Sequence, residues 1–241
     1  LSAYWMAACG TEGEDAALFD AVRAVGMELC PALGIAIPVG KDSLSMRARW
    51  DHDGSEYKVV APVSLIVSAF APVTDATRQL TPRLQATNEQ SYLLLFDLGA
   101  GANRLGGSCL AQAFNRVGGE APDIDNPDVL GNFFAAIQEL SSRDMLLAYH
   151  DRSDGGLLAT VAEMMFAGRL GVSLQLGGSR ESMLAQLFNE EAGAVVQVTK
   201  GKLTQVQMVL DRNNLKAEAI GLVDVHPLRH WTDRMRGIPV A

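Results

Sequence analysis

Residues 145–158 read Met-Leu-Leu-Ala-Tyr-His-Asp-Arg-Ser-Asp-Gly-Gly-Leu-Leu. Met145 to Tyr149 is short and apolar, which predicts a buried strand. Asp151 to Gly156 is polar and glycine-bearing, which predicts a loop. Leu158, Val161, Met165 and Phe166 then recur at helical spacing. Further strands are predicted at 172–176, 194–198 and 217–223, and upstream at 92–98, where the apolar run Tyr-Leu-Leu-Leu-Phe-Asp-Leu stands. A small-residue helix is predicted near 108–117. Asn126-Pro127 opens another, with Pro at the favoured first position and Leu130, Phe134, Ile137 and Leu140 on one face. Strands alternating with helices predict an α/β (α+β) fold, a mixed sheet covered by helices.

The segment before it is built differently. Thr11 and Glu14 have the spacing of a capping box, followed by Leu18, Val22, Val25 and Leu29 at helical spacing and by Pro31 as a stop. Residues 35–39, Ile-Ala-Ile-Pro-Val, predict a short buried strand running into Gly40-Lys-Asp-Ser43. Leu44, Met46, Ala48 and Trp50 alternate with polar residues. Asp53-Gly54 marks a hairpin turn, and Tyr57, Val59, Ala61, Val63, Leu65 and Val67 resume the alternation. Residues 72–91 are polar, contain Pro72 and Pro82 and show no period, so they connect two domains, 1–85 and 86–241.

Composition narrows the functional classes. Twenty basic residues are set against 28 acidic ones, a net charge of −8, and the basic residues are scattered. That excludes nucleic acid as the expected partner, because a polyanionic backbone demands clustered Lys and Arg. The longest apolar stretch, 59–70, is broken by Pro62, Ser64 and Ser68, so no membrane partner is expected. Nothing marks secretion, and Leu1 to Gly10 reads like the middle of a chain, so a truncated piece of a longer protein is expected. Cys9, Cys30 and Cys109 form no CxxC pair and no zinc spacing. They are expected as reduced, buried packing thiols of a cytoplasmic protein.

Two stretches carry chemistry. In Pro38-Val-Gly-Lys-Asp-Ser-Leu-Ser-Met46, Gly40 lets backbone approach a ligand, Lys41 offers a charge for phosphate, Asp42 a hard ligand for Mg²⁺, and Ser43 a hydroxyl. The spacing is not that of a Walker A loop, and a solvated hairpin-entry turn is the plainer alternative. In His150-Asp-Arg-Ser-Asp-Gly-Gly156, a glycine-bearing loop between strand and helix start suits phosphate, and Asp151 and Asp154 suit Mg²⁺. Capping by Ser153 or Asp154, with Gly156 as a turn residue, is the alternative. Arg152 is expected to pair with either carboxylate. His150 is expected as a structural hydrogen-bonder, with metal ligation beside Asp151 as the alternative; Asn189 to Gly193 is expected as an acidic turn, with contact to a ligand as the alternative; and His52, His226 and His230 form no spaced set.

Gly40-Lys-Asp-Ser-Leu-Ser-Met46, Tyr149-His-Asp-Arg-Ser-Asp-Gly-Gly-Leu157 and Leu187-Phe-Asn-Glu-Glu-Ala-Gly-Ala194 resemble the large, single-chain phosphoribosylformylglycinamidine synthases. So do Leu1-Ser-Ala-Tyr-Trp-Met6 and Gly13-Glu-Asp-Ala16. These belong to the aminoimidazole ribonucleotide synthetase superfamily, and the resemblance spans essentially the whole chain. It implies the end of a second A-type domain followed by a complete second B-type domain. The activity it implies is amidine formation from formylglycinamide ribonucleotide, with ATP activating the amide oxygen and glutamine supplying ammonia. Carried over by residue, Gly40, Lys41, Asp42, Ser43 and Ser45 become substrate and nucleotide contacts. Ser153, Gly155 and Gly156 become contacts of an auxiliary nucleotide site, ATP or ADP, and Asp151 a Mg²⁺ ligand. The resemblance also implies further ligands upstream and a glutaminase domain in the same chain beyond Ala241; none of the three cysteines sits on the sharp turn a glutaminase nucleophile needs. The competing readings are a structural module of the synthetase that binds no ligand, and another ATP-dependent member of the superfamily, such as a thiamine-monophosphate kinase-like or selenophosphate synthetase-like protein. The last lacks support, since those carry an aspartate- or glycine-rich amino-terminal nucleotide loop.

Overall fold

The chain divides into two compact units, residues 1–76 and 77–241, and the computed structural model describes residues 1–224, which leaves His226 and His230 outside the described residues. In the first unit, β1 (Ser2–Met6) lies between β2 (Val39–Ser43), parallel to it, and β5 (Ser64–Ser68), antiparallel. β3 (Arg47–His52) and β4 (Ser55–Val60) form a hairpin. Its turn, Asp53-Gly54, has φ of 51° and 75°, the positive pair that matches the twist of a two-residue hairpin. Trp50 and Tyr57 stack across it with ring centroids 5.6 Å apart.

Three local expectations are corrected in this unit. The strand expected at 35–39 begins only at Val39 and takes in Gly40 to Ser43, because that is the segment β1 pairs with. The alternation from Tyr57 to Val67 is broken: β4 ends at Val60, and β5 starts afresh at Ser64 on β1, with Pro62 between them unable to donate to a ladder. The capping box does not form. α1 (Glu14–Arg23) starts after Gly13, which has φ 85° and no side chain to cap with, and Thr11 Oγ1 and Glu14 Oε2 are buried without a hydrogen-bond partner. The helical path continues through a π-helical stretch, Ala24–Leu29, into α2 (Cys30–Ala32). Pro31 is tolerated there because it lies in the first turn of the new helix.

The second unit runs β6 (Ser91–Asp97), α3 (Cys109–Ala113), α4 (Pro127–Ser142), β7 (Ala148–Asp151), α5 (Gly156–Gly168), β8 (Gly171–Leu174), α6 (Arg180–Phe188), β9 (Gly193–Thr199), α7 (Leu203–Arg212) and β10 (Glu218–Asp224). Its strands lie in the order β7-β9-β6-β10-β8, antiparallel at each neighbouring pair. Alternation along β6 and β9 splits the core in two. Leu94, Phe96, Val196 and Val198 pack with α4 and α7, whereas Leu93, Leu95 and Val195 pack with α5. The architecture is thus α/β, helices on a sheet. The segment entering β6 belongs to this unit: Leu84 is buried in the α5 cluster, and the Gln197 amide both accepts from the backbone N–H of Gln85 and donates to its carbonyl, each at 2.8 Å. Among the described residues no helix is long and apolar enough to cross a membrane.

The helix faces keep Leu130, Ile137, Leu140, Val161 and Met165 as expected and differ at single positions. α4 buries Phe133, Ala136, Ile137 and Leu140, and Phe134 is 65% exposed. Both phenylalanines satisfy helical spacing; Phe133 is chosen because it meets Phe96 edge-on at 5.4 Å. α5 buries Leu157, Val161, Met164 and Met165 and leaves Leu158 and Phe166 exposed. The Asn126 side chain caps α4 as expected, accepting from the Asp128 N–H at 2.9 Å.

Urea unfolding of two variants checks this face. Phe133→Ala is expected to cost about 3–5 kcal/mol, as large-to-small changes in packed cores do. Phe134→Ala is expected to stay within about 0.5 kcal/mol of the parent, as for a surface site.

Candidate functional site

The two sequence-predicted stretches lie in different units. In the first, the register sets Tyr4 beside Lys41, Trp5 beside Asp42 and Met6 beside Ser43. Side chains alternate along a strand, so Lys41 and Ser43 share a face and Asp42 takes the other. Tyr4 joins the first face: its hydroxyl is 2.7 Å from Ser43 Oγ, and Lys41 Nζ sits 4.7 Å from its ring centroid. The Ser43 hydrogen bond lowers the Tyr4 hydroxyl below its ordinary pKa; burial opposes it, and the Lys41 charge adds to the lowering. An ammonium, a hydroxyl and a phenol on one face of the sheet, with Lys41 exposed and Tyr4 and Ser43 half-buried, form a donor set suited to phosphate oxygens. Gly40 has a packing reason of its own, since a Cβ there would stand 2.6 Å from the Ala3 carbonyl oxygen. Ser45 is exposed and makes an isolated bridge to Ala8.

In the second unit Asp151 ends β7, and its Oδ1 accepts from the Tyr149 hydroxyl at 2.5 Å. Burial, with the Asp151 hydrogen bond and charge, pushes the Tyr149 phenol well above its ordinary pKa, so it remains a donor to Asp151. Arg152 does not pair with Asp151 or Asp154. It turns inward, 4% exposed, and donates to Asp97 Oδ1 at 2.6 Å, to the Glu191 carbonyl at 2.6 Å and to the Ala192 carbonyl at 3.1 Å. Asp151, Ser153 and Asp154 are exposed around it. His150 Nε2 lies 2.7 Å from Glu163 Oε2, which matches the structural role expected of it. Gly156 has φ 66°, and a Cβ there would meet the Asn189 carbonyl oxygen at 2.6 Å, so only glycine fits.

Two amides at the start of α5 already have partners within the chain: Gly156 N–H donates to the Ser153 carbonyl at 2.9 Å, and Gly155, the residue before the helix, donates to Glu190. Gly155 N–H donates to Glu190 Oε1 at 2.8 Å, and Cys109 N–H donates to the same oxygen at 2.8 Å. A carboxylate of the chain itself thus sits beside the start of this helix, where the positive end of the dipole favours an anion. Cys109 is exposed, not buried. The Glu190 hydrogen bond, burial and the nearby carboxylate charges raise its thiol above the ordinary pKa.

Asp97 and Arg104 carry no predicted role and Glu191 is expected only within an acidic turn, yet the three hold the loops in place. Glu191 has no exposed surface and accepts from Arg104 through the Nε at 2.7 Å, the second guanidinium nitrogen at 2.8 Å and the backbone N–H at 3.0 Å. Arg104 also pairs with Asp125 at 2.8 Å. Asp97 accepts from Gly101 N–H at 2.7 Å while holding Arg152. The signal for Asp97 is a carboxylate closing an otherwise apolar strand. Behind the loop, Asp97, Asn103, Arg152, Leu157, Gln186 and Glu218 line a cavity of about 270 Å³.

Burial acts to raise the Glu191 carboxyl, but the Arg104 hydrogen bonds and charge outweigh it and hold the pKa below the ordinary carboxylate range. A depressed folded-state pKa contributes stability above the unfolded value of about 4.3, and that contribution is lost as pH falls through the folded value. Urea melts between pH 7 and pH 3 should therefore show a steeper acid-side loss in the parent than in Glu191→Gln. Glu191→Ala should cost about 1–3 kcal/mol at pH 7, because Arg104 loses its buried partner and keeps only Asp125.

Comparison with known proteins agrees with this architecture. Residues 1–72 match the family model of the FGAR-AT PurM_N-like domain. Residues 94–227, more than half of the chain, match that of the AIR synthase related protein, C-terminal domain. The PurLQS structure from Thermotoga maritima superposes with a TM-score of 0.59 at 13% identity, over 92% of this chain and 33% of that one. T. maritima PurL complexed with ATP gives 0.56 at 12% identity, over 94% of this chain and 34% of that one. E. coli HypE, a hydrogenase maturation protein, gives 0.58 at 18% identity, over 94% and 67%. The chain spans about one third of the length of the T. maritima structures it matches, and at these identities the likeness shows the fold. With more than half of its length matched, the chain belongs to the AIR synthase related protein family.

Proposed function

We propose that these residues work as part of a phosphoribosylformylglycinamidine synthase, in the ATP-dependent portion that turns formylglycinamide ribonucleotide into formylglycinamidine ribonucleotide with ammonia from glutamine. The observation that carries this reading is the order of two domain types in one chain, an FGAR-AT-type match over 1–72 ahead of an AIR synthase related match over 94–227. T. maritima PurL structures complexed with ATP, ADP, AMPPCP and FGAR support it. The HypE likeness favours the second reading, another ATP-dependent member of the superfamily; the match over 1–72 favours the first.

In this reading Lys41 and Ser43, with Tyr4 beside them, contact phosphate or substrate on one face of β2, and Asp42 acts from the opposite face. Asp151 is a Mg²⁺ ligand and Ser153 a nucleotide contact at an auxiliary site. Asp151 fits a single Mg²⁺ position: it is exposed, one of its oxygens takes the Tyr149 hydroxyl, and Mg²⁺ commonly takes one or two carboxylates and completes its shell with phosphates and water. When bound, Mg²⁺ supplies charge neutralisation for the nucleotide phosphates. Gly40, Gly155 and Gly156 contribute backbone shape to these sites. A glutaminase domain of the same longer chain supplies ammonia, a cytoplasmic location goes with the activity, and the 241 residues have no synthase activity without the rest of the enzyme.

In the longer protein, Lys41→Ala and Ser43→Ala should each lower ammonia-dependent synthesis roughly ten- to a hundred-fold, the loss of about 1.5–3 kcal/mol expected for a hydrogen bond to a charged ligand. Glutamine hydrolysis should be untouched. Unchanged ammonia-dependent kinetics in both variants would remove β2 from the site. Asp151→Asn should shrink the Mg²⁺-dependent part of the thermal shift produced by ADP, since an amide is a poorer ligand than a carboxylate for a hard cation. A full shift in that variant would leave Asp151 as a turn residue.

A further inference from the structure

We propose that Cys109, Asp154 and Glu190 form a binding site for a thiophilic divalent cation of the zinc class, separate from Asp151. One ligand atom from each of the three lies within 4.8 Å of the other two. The residues come from three segments far apart in sequence: the first turn of α3, the 151–156 loop and the loop before β9. With zinc–sulfur bonds of about 2.3 Å and zinc–oxygen bonds of about 2.0–2.2 Å, neighbouring ligand atoms on a tetrahedral ion stand roughly 3.6 Å apart. The three atoms need to draw together by about 1 Å to reach that spacing.

The chemistry of the set points to a soft cation. Acidic surface clusters offer only oxygen, which suits Mg²⁺ and Ca²⁺, whereas a thiolate selects zinc and its relatives. No ion pair among the described residues involves Asp154 or Glu190. Glu190 is held by one oxygen through the backbone N–H groups of Cys109 and Gly155, the kind of outer-shell support that fixes a metal-binding carboxylate. Binding displaces the thiol proton to the buffer and forms one metal–sulfur bond. Three protein ligands leave a fourth position for water, an open arrangement.

The test is titration of the metal-free 241-residue chain with Cd²⁺, which reports a thiolate ligand by an ultraviolet charge-transfer band, and with Zn²⁺ by calorimetry. The expected result is a saturable band that Zn²⁺ competes away, that Cys109→Ser removes, and that Cys9→Ser and Cys30→Ser keep. Asp154 is exposed, so Asp154→Asn leaves packing untouched. That variant and Glu190→Gln should each weaken binding at least about tenfold, because losing even an outer-shell partner costs about ten- to a hundred-fold. No saturable band in the parent, a band that survives Cys109→Ser, or affinities unchanged in both carboxylate variants would overturn the site. None of these outcomes depends on nucleotide binding.

Discussion

Glu191 is a carboxylate with no exposed surface, and an unpaired charge in such a place is prohibitively costly. Arg104 answers it with two guanidinium nitrogens and its own backbone N–H, which ties the loop after β6 to the loop before β9. Arg152 repeats the arrangement from the next loop, neutralising Asp97 and donating also to the carbonyls of Glu191 and Ala192. Three loops at one end of the sheet are thereby laced by charged hydrogen bonds that water cannot replace. Apolar packing holds the helices on the sheet; these pairs hold the loops on its end.

What the 151–156 loop offers to solvent follows from what its neighbours bury. Arg152 points inward, so Asp151, Ser153 and Asp154 stand out around it. Gly156 passes so close to the Asn189 carbonyl that any Cβ would collide, which fixes the start of α5. The Gly155 amide then finds Glu190 before it finds any ligand. A glycine-rich strand-to-helix loop thus combines two roles, internal anchoring through its amides and outward display of its carboxylates and hydroxyl.

The first unit places chemistry by strand alternation in a similar way. Lys41-Asp42-Ser43 reads in sequence as one polar cluster, but on β2 it separates into two faces, and Tyr4 from the neighbouring strand becomes the third member of the Lys41–Ser43 group. A loop would have left these side chains free to converge. A strand cannot, because successive side chains are driven to opposite sides.

The α/β class, the strand–loop–helix at 145–158, the Pro127 helix start and the Asp53-Gly54 hairpin were all legible in the residues, because each rests on local periodicity or on a local backbone requirement. The resemblance of the Lys41, Asp151 and Asn189 motifs to the synthetase family was legible for the same reason, as short contiguous strings. Tertiary structure decided whatever depended on a partner distant in sequence. It chose Phe133 over Phe134, because Phe96 faces α4 from β6. It shifted β2 from Ile35 to Val39, because β1 sets the register. It assigned Arg152 to Asp97, and Glu191 to Arg104 across 87 positions. It brought a lone cysteine within 4.8 Å of two carboxylates, where sequence spacing shows no metal pattern. Periodicity carries the first kind of information, whereas long-range charge pairing and side-chain packing exist only once the chain has closed on itself.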